Sequence, residues 1–328
     1  MNVSPLAPMT EQPTVLVLRA LGLGDTLTGI PALRALRRRW PDHRLVLAAP
    51  RHLGTWMQRL GVVDGVLDTH NLAPLTWTGE PPNVAVDLHG RGPESQRLLQ
   101  ALDPLQLVAF RCPEAGIVDG PTWYADEHEV DRWLRMVGAF GARGHREDLV
   151  LDDLPSRGAA VVVHPGAASG SRCWPARRWR AVVDRLVQLG HPVIVTGSAN
   201  EQPMCAAVAG DRAQNLAGRL DLEALARTVA DARLVLCGDT GVAHVATAYR
   251  TPSVLLFGPT PPAHWGPAVD IDRHTVLWYG TPGTVGDPHG SEVDLTLARI
   301  TVADVLAAAA SFLDTSRFGQ TSPGYARA

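Results

Sequence analysis

An aspartate follows two glycines just past the first apolar run of the chain. The run is Val15–Arg19, the glycines are Gly22 and Gly24, and Asp25 precedes the amphipathic segment Leu27–Trp40. The glycines allow a tight turn, and such a turn lies at the strand edge where open α/β sheets bind ligands. Asp25 is therefore a candidate general base. An aspartate directly before a helix can instead cap the helix N-terminus, and the spacing leaves both roles open.

A second loop, rich in small residues, is suited to bind an anion. It follows the apolar run Ala160–His164 and ends at Pro175, which favours a helix start. Small residues let backbone amides approach an anion, Arg172 adds a positive charge, and Ser169 and Ser171 add hydroxyl groups. The loop predicts diphosphate binding, with a plain flexible loop as the alternative.

A Gly-Asp-Thr-Gly turn follows the apolar run Leu234–Cys237 and leads into an alanine-rich helix. Thr240 and Gly241 place backbone amides at the predicted helix start, where the helix dipole favours a phosphate. Asp239 would repel a phosphate, so we expect it to accept hydrogen bonds from sugar hydroxyls or to cap the helix. His244, three residues past Gly241, either faces the ligand or packs in the core.

A carboxylate also follows the apolar run Val193–Thr196. Glu201 stands at the start of the next predicted helix, where it can accept hydrogen bonds from a ribose or simply favour the helix dipole. Farther along, His264 and Trp265 lie in a loop dense in proline and glycine, which holds one shape. Both side chains can line a nucleotide pocket, and neither is assigned a catalytic role.

Short apolar runs alternate with amphipathic segments along the chain, which predicts parallel sheets flanked by helices. The pattern restarts after a turn-rich linker near residues 152–158, so we expect two domains, residues 1–155 and 156–328, with a ligand cleft between them. Pro31 predicts a separate first turn, Thr26–Gly29, before the first long helix. The predicted strands are Val15–Arg19, Leu45–Ala49, Val84–Asp87, Ala160–His164, Val193–Thr196, Leu234–Cys237 and Ser253–Phe257. The predicted helices are Leu27–Trp40, Pro93–Leu102, Ala176–Leu189, Leu222–Ala230, Val242–Tyr249 and Val302–Leu313.

The composition argues against several classes of protein. Lys and Arg number 30 and Asp and Glu number 33, so the formal charge of −3 gives no basis for binding nucleic acid. The first residues lack the features of a secretion signal, and no apolar run is long enough to span a bilayer, which predicts a cytoplasmic protein without an integral membrane segment. The four cysteines lack the spacing of a zinc site or a disulfide framework. Gly29 comes too late to complete a dinucleotide-binding glycine motif, so an oxidoreductase is a weaker alternative.

Taken together, these segments resemble glycosyltransferase family 9, the heptosyltransferase-type enzymes, over nearly all of residues 14–313. The motifs that carry the resemblance are Leu21–Leu36, the His-Pro-Gly-Ala loop His164–Ala167, the Asp-Thr-Gly-x-x-His helix start Asp239–His244, and the loop Phe257–Pro267. The resemblance implies an α/β protein of GT-B architecture, in which two Rossmann-like domains with parallel sheets face a central cleft.

The resemblance also implies roles for individual residues. Asp25 would be the catalytic base, Asp239 would bind the donor sugar, Thr240 and Gly241 the diphosphate, and Glu201 the ribose. Ser169, Arg172 and His244 complete the expected donor site. The family usually has Lys where Arg172 stands, and Arg presents a planar fork instead of a point charge. His89, Arg91 and His128 would border the acceptor side.

The resemblance implies transfer of a sugar, heptose by analogy with the family, from a nucleotide-diphosphate donor to a hydroxyl group, with inversion. The expected donor is an ADP-sugar, and the acceptor is a glycan, a lipid-linked glycan or a small molecule. Backbone amides and Arg172 would stabilise the leaving diphosphate, so neither a metal ion nor another cofactor is expected. The alternatives are a sugar-nucleotide epimerase or hydrolase, and a non-catalytic protein that binds nucleotide sugars.

Overall fold

The computed structural model describes residues 12–151 and 157–313. These residues form two compact units. Unit 1 comprises residues 12–125 and 130–148, and unit 2 comprises residues 126–129, 149–151 and 157–313. The predicted linker near residues 152–158 lies largely outside the described residues, so the division at residues 155 and 156 stays a prediction.

Unit 1 contains a sheet of five parallel strands. The strands are β1 (Thr14–Leu18), β2 (Arg44–Ala49), β3 (Gly65–Asp68), β4 (Val84–Asp87) and β5 (Gln106–Val108). Their order across the sheet is β3-β2-β1-β4-β5, and Val15 of β1 lies opposite Leu45 of β2 and Val84 of β4. The loops that follow β1, β4 and β5 therefore leave the sheet side by side at its carboxyl edge.

Five helices accompany this sheet: α1 (Leu23–Thr28), α2 (Ile30–Arg39), α3 (Arg51–Arg59), α4 (Glu94–Gln100) and α5 (Glu129–Gly138). The predicted break before Pro31 is confirmed, because Gly29 both ends α1 and precedes α2. Pro31 is the second residue of α2, a position where its missing N–H is not needed by the helix. The first helix begins earlier than expected, at Leu23, which changes the position of Asp25 within it.

Apolar side chains on one face of this sheet pack against α4 and against the segment that contains Trp77. The buried members of this cluster are Leu16, Leu18, Ala20, Val46, Ala48, Ala85 and Leu99. Both faces of the central strand β1 are covered, as in parallel sheets generally, so its run is apolar at nearly every position. This packing fixes the strand ends that carry the candidate site.

Unit 2 contains a sheet of six parallel strands. The strands are β6 (Val161–His164), β7 (Val193–Val195), β8 (Gln214–Asn215), β9 (Leu234–Gly238), β10 (Ser253–Leu256) and β11 (His274–Leu277). Their order is β11-β10-β9-β6-β7-β8. The central pair β6 and β9 is joined in register, with His164 opposite Cys237, so the two loops expected to bind the diphosphate leave the sheet next to each other.

The helices of unit 2 are α6 (Ala176–Gln188), α7 (Gln202–Ala209), α8 (Leu222–Ala230), α9 (Gly241–Ala248), α10 (Pro262–Trp265), α11 (Leu295–Arg299) and α12 (Val302–Leu313). Helices α6, α7 and α12 contribute to one large core that also contains Trp174 and Trp179, whose rings meet edge to face at 4.9 Å. That core lies beneath the loop that follows β6, and it anchors both ends of that loop.

All seven strands predicted from the sequence are confirmed to within one residue at each end. The structure adds β3, β5, β8 and β11, which are the four edge strands of the two sheets. Among the described residues, no helix combines the length and the apolar composition that crossing a bilayer requires.

Candidate functional site

Asp25 is the third residue of α1, close behind the carboxyl end of β1. The N-cap residue of this helix is Gly22, so the alternative prediction that Asp25 occupies the N-cap position is wrong. The side chain of Asp25 is half-buried. Its backbone carbonyl accepts the N–H of Gly29 at 3.1 Å and the hydroxyl of Thr28 at 3.0 Å, which closes α1 as a short, well-bonded turn.

Arg19, which sequence reasoning did not single out, holds the backbone of this turn. Its side chain is fully buried, and its guanidinium donates to the backbone carbonyls of Asp25 and Leu88 and, at 3.0 Å, to Thr28 Oγ1. The carbon of the guanidinium lies 4.9 Å from the centre of a Trp133 ring. A planar fork that donates to several acceptors at once fixes their relative positions, so Arg19 sets where Asp25 stands relative to β4. The feature of the sequence that could have indicated Arg19 is its position as an arginine at the end of an apolar strand.

Asp87 and His89 lie in the neighbouring loop, at the end of β4. Asp87 is fully buried and accepts the N–H of His89 at 2.9 Å and the hydroxyl of Ser95 at 2.8 Å. Burial raises the pKa of Asp87 to about 6, although these hydrogen bonds and the charge of Arg19 act in the opposite direction. Burial, together with Arg19, lowers the pKa of His89 to about 4. His89 is therefore neutral near pH 7, and its Nδ1 accepts the N–H of Ala20 at 3.2 Å.

The other two residues expected on the acceptor side lie in different units. Arg91 is exposed in unit 1, in the same loop as His89. His128 belongs to the short segment of unit 2, where its Nε2 lies 3.0 Å from the carbonyl oxygen of Gly266. The same segment contributes Asp126, whose Oδ1 lies 2.7 Å from His264 Nε2. The acceptor-side assignment of these residues stays a prediction.

In unit 2, Arg172 connects the loop after β6 with the turn after β9. Its Nε donates to Ser169 Oγ at 3.2 Å and its Nη1 to the carbonyl oxygen of Asp239 at 3.4 Å, with Asp239 Oδ2 at 4.0 Å. The hydroxyl of Ser169 donates in turn to the carbonyl of Pro288 at 2.5 Å. Because a hydroxyl has a single proton, Ser169 acts here by holding Arg172.

Helix α9 begins at Gly241, with Thr240 as its N-cap residue, so the predicted helix start is confirmed to within one residue. The Thr240 side chain makes no capping hydrogen bond, and the first-turn amides of a helix have no partner within the helix. Asp239 precedes the N-cap, so its alternative role as the cap is wrong. Its side chain is 10% exposed, and its N–H donates to the carbonyl of Leu256 at 3.1 Å.

His244 packs inside unit 2. It is buried, and its ring meets the Trp265 ring edge to face, with the ring centres 5.8 Å apart. The core role that the sequence left open is therefore confirmed, and a contact with the donor stays a prediction. Trp265 ends α10 in the loop expected to line the nucleotide pocket.

Glu201 joins the loops that follow β6 and β7. Its Oε2 accepts the N–H of Ser198 at 2.7 Å and completes a capping box at the start of the next helical turn. A methyl group added at Gly166 would lie 1.9 Å from Glu201 Oε1, so the carboxylate rests directly against the backbone of that glycine. The expected contribution to the helix start is confirmed, and hydrogen bonding to a ribose stays a prediction.

The described residues contain no group of three or more His, Cys, Asp or Glu side chains placed to hold a metal ion. One Asp-x-Asp spacing, a pattern that binds metals in other transferases, does occur at Asp270 and Asp272. Asp270 is paired with Arg250, whose Nε and Nη2 donate at 2.6 and 2.8 Å. This pairing lowers the pKa of Asp270, and the carboxylate is already bound by Arg250.

The chain consists of two parallel α/β units. In each unit the candidate residues lie on loops that follow the strands. The chain superposes on the crystal structure of a family 9 glycosyltransferase from Veillonella parvula with a TM-score of 0.74 and 16% identity, covering 94% of this chain and 99% of that one. It superposes on the ADP-heptose lipopolysaccharide heptosyltransferase II of E. coli with a TM-score of 0.72 and 19% identity, covering 92% and 98%. The fold is therefore the GT-B architecture.

The sequence comparisons show which family the chain is similar to. Residues 140–282 match the family model of glycosyltransferase family 9 (heptosyltransferase). The lipopolysaccharide heptosyltransferase 1 of Pseudomonas aeruginosa is 34% identical over 234 residues, which cover 65% of this chain and 61% of that protein. The match thus spans about three fifths of this curated relative. These matches identify the chain as a relative of glycosyltransferase family 9, as the motifs predicted.

Proposed function

We propose that this protein transfers a sugar from an ADP-sugar to a hydroxyl group of an acceptor, with inversion at the anomeric carbon. The observation that carries the proposal is the position of Arg172, which is held by Ser169 beside Asp239 and the start of α9. A fixed cation next to unpaired helix amides is a site for a diphosphate. Heptose is the proposed sugar because the family and the compared enzymes are named for it.

In the proposed reaction, Asp25 removes the proton of the acceptor hydroxyl as its oxygen attacks the anomeric carbon. The bond to the diphosphate breaks on the opposite face, which inverts the configuration. ADP leaves with its new negative charge stabilised by Arg172 and by the amides of Thr240 and Gly241. In this scheme the protein supplies the charge that a metal ion supplies in other transferases.

The remaining donor contacts follow from the same placement. Asp239, a carboxylate beside Arg172, accepts hydrogen bonds from the sugar hydroxyls. Glu201, bound to Ser198 through Oε2, retains acceptor capacity on Oε1 for the ribose. The acceptor is a glycan, a lipid-linked glycan or a small molecule, and we place the reaction in the cytoplasm.

A thermal-shift screen tests the donor first. ADP should raise the melting temperature more than GDP, UDP or dTDP at equal concentration, because only a ligand that prefers the folded protein stabilises it. ADP-heptose should stabilise it further. A larger shift with another nucleotide would overturn the assignment of the donor base.

Incubation of ADP-heptose without acceptor separates transfer from the other reactions open to a two-domain nucleotide-sugar protein. A transferase leaves the donor largely unchanged until an acceptor hydroxyl is added. Rapid release of free heptose would show a hydrolase, and an altered sugar still bound to ADP would show an epimerase. Tight binding without turnover on any acceptor would show a binding protein.

A further inference from the structure

His164 ends β6, one of the two central strands of the unit 2 sheet, and has no role in the reaction described above. Val163 of β6 lies opposite Val195 of β7, so His164 and Thr196 stand side by side where the two strands end. The Nδ1 of His164 lies 3.0 Å from Thr196 Oγ1. The imidazole ring is therefore held at the carboxyl edge of the sheet, where the loops after β6 and β7 begin.

The pairing with Thr196 decides which ring nitrogen of His164 carries the proton. Thr196 is fully buried, and within the described chain its hydroxyl has no hydrogen-bond partner except His164 Nδ1. A buried hydroxyl proton without an acceptor is unfavourable, so the hydroxyl donates and Nδ1 accepts. Burial lowers the pKa of His164, against the charge of Glu201, so the ring is neutral near pH 7 and carries its single proton on Nε2.

The Nε2–H group of His164 is not used by its own surroundings. The bond to Thr196 is the only hydrogen bond of the His164 side chain among residues 12–151 and 157–313. His164 is 7% exposed, so the ring is not completely enclosed. A buried donor at a strand end without a partner is suited to bind a ligand atom that accepts a hydrogen bond.

Glu201 brings a carboxylate to the same strand ends. A methyl group added at Gly166 would lie 1.9 Å from its Oε1, and one added at Gly197 would lie 3.3 Å from its Oε2, so the carboxylate lies across the first residues of both loops. Its charge acts on the His164 ring, although neither a hydrogen bond nor an ion pair joins the two side chains in the described part of the chain. The two groups are thus close enough to interact by charge and too far apart to bond directly.

Two thiols near Glu201 leave its charge uncompensated. Burial is the main reason that the pKa values of Cys173 and Cys205 are raised, that of Cys205 to about 11, and the charge of Glu201 adds to both shifts. Both thiols are therefore neutral near pH 7. Within the described residues, the one hydrogen bond of the carboxylate is the bond from the N–H of Ser198. An anionic group of a ligand would be repelled at this position, which disfavours a phosphate.

A hydroxyl group is the chemical group that fits between such a pair. Its oxygen accepts a hydrogen bond from an N–H group, and its proton is donated to a carboxylate. An ammonium group could donate to the carboxylate, but it has no lone pair to accept the N–H of His164. The combination of an imidazole N–H with a carboxylate therefore favours a sugar hydroxyl.

We propose that His164 binds a ribose hydroxyl of the nucleotide donor through its Nε2–H group, while the carboxylate of Glu201 accepts a hydrogen bond from the same hydroxyl. The inference rests on the proposed function, which supplies the nucleotide. It adds to the donor site a residue that recognises the oxygen of the hydroxyl, in addition to one that recognises its proton.

Isothermal titration of the full chain with ADP and with 2′,3′-dideoxy-ADP, which lacks both ribose hydroxyls, tests the proposal. The wild type should bind ADP about tenfold or more tightly than the dideoxy nucleotide, because one of the hydrogen bonds is to a charged group. His164→Asn keeps a side-chain oxygen that can accept from Thr196 and removes the Nε2–H group. It should weaken ADP binding about three- to tenfold and leave the binding of dideoxy-ADP unchanged.

Two further variants separate the contact from the fold. His164→Gln, whose amide N–H reaches farther than that of asparagine, should restore part of the preference for ADP. Glu201→Gln should also reduce the preference. Its combination with His164→Asn should cost less than the two single losses added together, because both side chains bind one hydroxyl.

His274→Asn is the matched control. His274 is also buried in unit 2 and also bonds a hydroxyl through Nδ1, that of Ser253 at 2.8 Å, but it begins β11 and so lies at the amino edge of the sheet. The substitution should leave the ratio of the two affinities at the wild-type value.

The ratio of the two affinities decides the outcome. An equal loss for ADP and dideoxy-ADP in His164→Asn would show a purely structural role and overturn the proposal. Equal binding of the two nucleotides by the wild type would also overturn it, while the proposed donor would stand. No binding of either nucleotide would overturn the proposed function together with this inference.

Discussion

At the scale of single residues, the candidate donor site depends on how one arginine is held. Arg172 reaches Ser169 with one nitrogen and the Asp239 carbonyl with another. Ser169 in turn is fixed by the carbonyl of Pro288, far away in the sequence. The two hydrogen bonds of Arg172 are to neutral groups, and the Asp239 carboxylate at 4.0 Å is the charged group beside Arg172. The resemblance to family 9 implies a lysine at this position, and arginine brings additional nitrogens that donate to two partners at once.

Arg172→Lys should weaken ADP binding about three- to tenfold, because an ammonium group cannot make both contacts with the same geometry. Adenosine, which lacks the diphosphate, should bind both proteins equally. Titration calorimetry with the two ligands measures the difference. An equal loss for adenosine would show that the substitution disturbs the loop and not a phosphate contact.

The sequence revealed part of this site and missed part. The positions of Asp25, Asp239 and Thr240 at strand ends follow from local patterns, since a short apolar run followed by a glycine-containing turn marks the carboxyl edge of a sheet. The roles of Arg19 and Pro288 depend on contacts between residues distant in the chain. Local periodicity carries no information about such contacts, so sequence patterns could not predict them.

At the scale of elements, the loop after β6 is shaped by the segment that precedes α11. The N–H of Ser171 donates to the carbonyl of Gly290 at 2.9 Å, and a methyl group added at Gly170 would lie 1.7 Å from the carbonyl oxygen of Ser291. Two backbone segments thus touch at a position where no side chain fits. Glycine is required at residue 170 by this close approach.

Gly170→Ala should lower both the melting temperature and the affinity for ADP, because the clash is with backbone that cannot rotate away. We expect a loss of roughly 1–3 kcal/mol in the free energy of unfolding. Gly138→Ala is the control: apart from its chain neighbours and the backbone of its own helix, no described atom lies within 4 Å of the added methyl group, and this glycine ends α5. The control should be neutral or slightly stabilising. Equal effects of the two substitutions would contradict the proposed packing.

The elements that sequence patterns missed share a physical cause. The strands β3, β5, β8 and β11 are edge strands of two to four residues, and each has exposed or half-buried positions. A short strand with one open edge need not be apolar throughout, so its hydropathy is similar to the hydropathy of a loop. The central strands are buried on both faces and were predicted to within one residue.

At the scale of the whole molecule, buried histidines make stability depend on pH. His274 in β11 is 6% exposed, and its Nδ1 pairs with Ser253 Oγ at 2.8 Å. Burial lowers its pKa to about 4, against the charge of Asp270. Between pH 6.5 and 4 the unfolded chain therefore binds a proton that the folded chain excludes, so stability falls as the pH falls through this window. His89 adds to the same trend, and Asp87 opposes it, because its raised pKa lets the folded chain bind a proton between pH 6 and 4 that the unfolded chain does not.

His274→Asn should reduce this acid loss by up to about 3 kcal/mol, because it removes the group that the unfolded state protonates. The measurement is the free energy of unfolding in urea at pH 7, 6, 5 and 4 for both proteins. The slope that remains in the variant combines His89 with the opposing contribution of Asp87. Parallel curves for the two proteins would show that His274 is protonated in the folded state.

The proposed reaction uses residues of both units. The central part of the proposal is that Asp25 acts as the base. The most direct test is the rate of ADP release from ADP-heptose, with acceptor present, for the wild type and Asp25→Asn. We expect a loss of about 10²–10⁴-fold in turnover. The affinity for ADP and the melting temperature should be nearly unchanged, because Asp25 is not the N-cap of α1. Turnover by Asp25→Asn at close to the wild-type rate would contradict it.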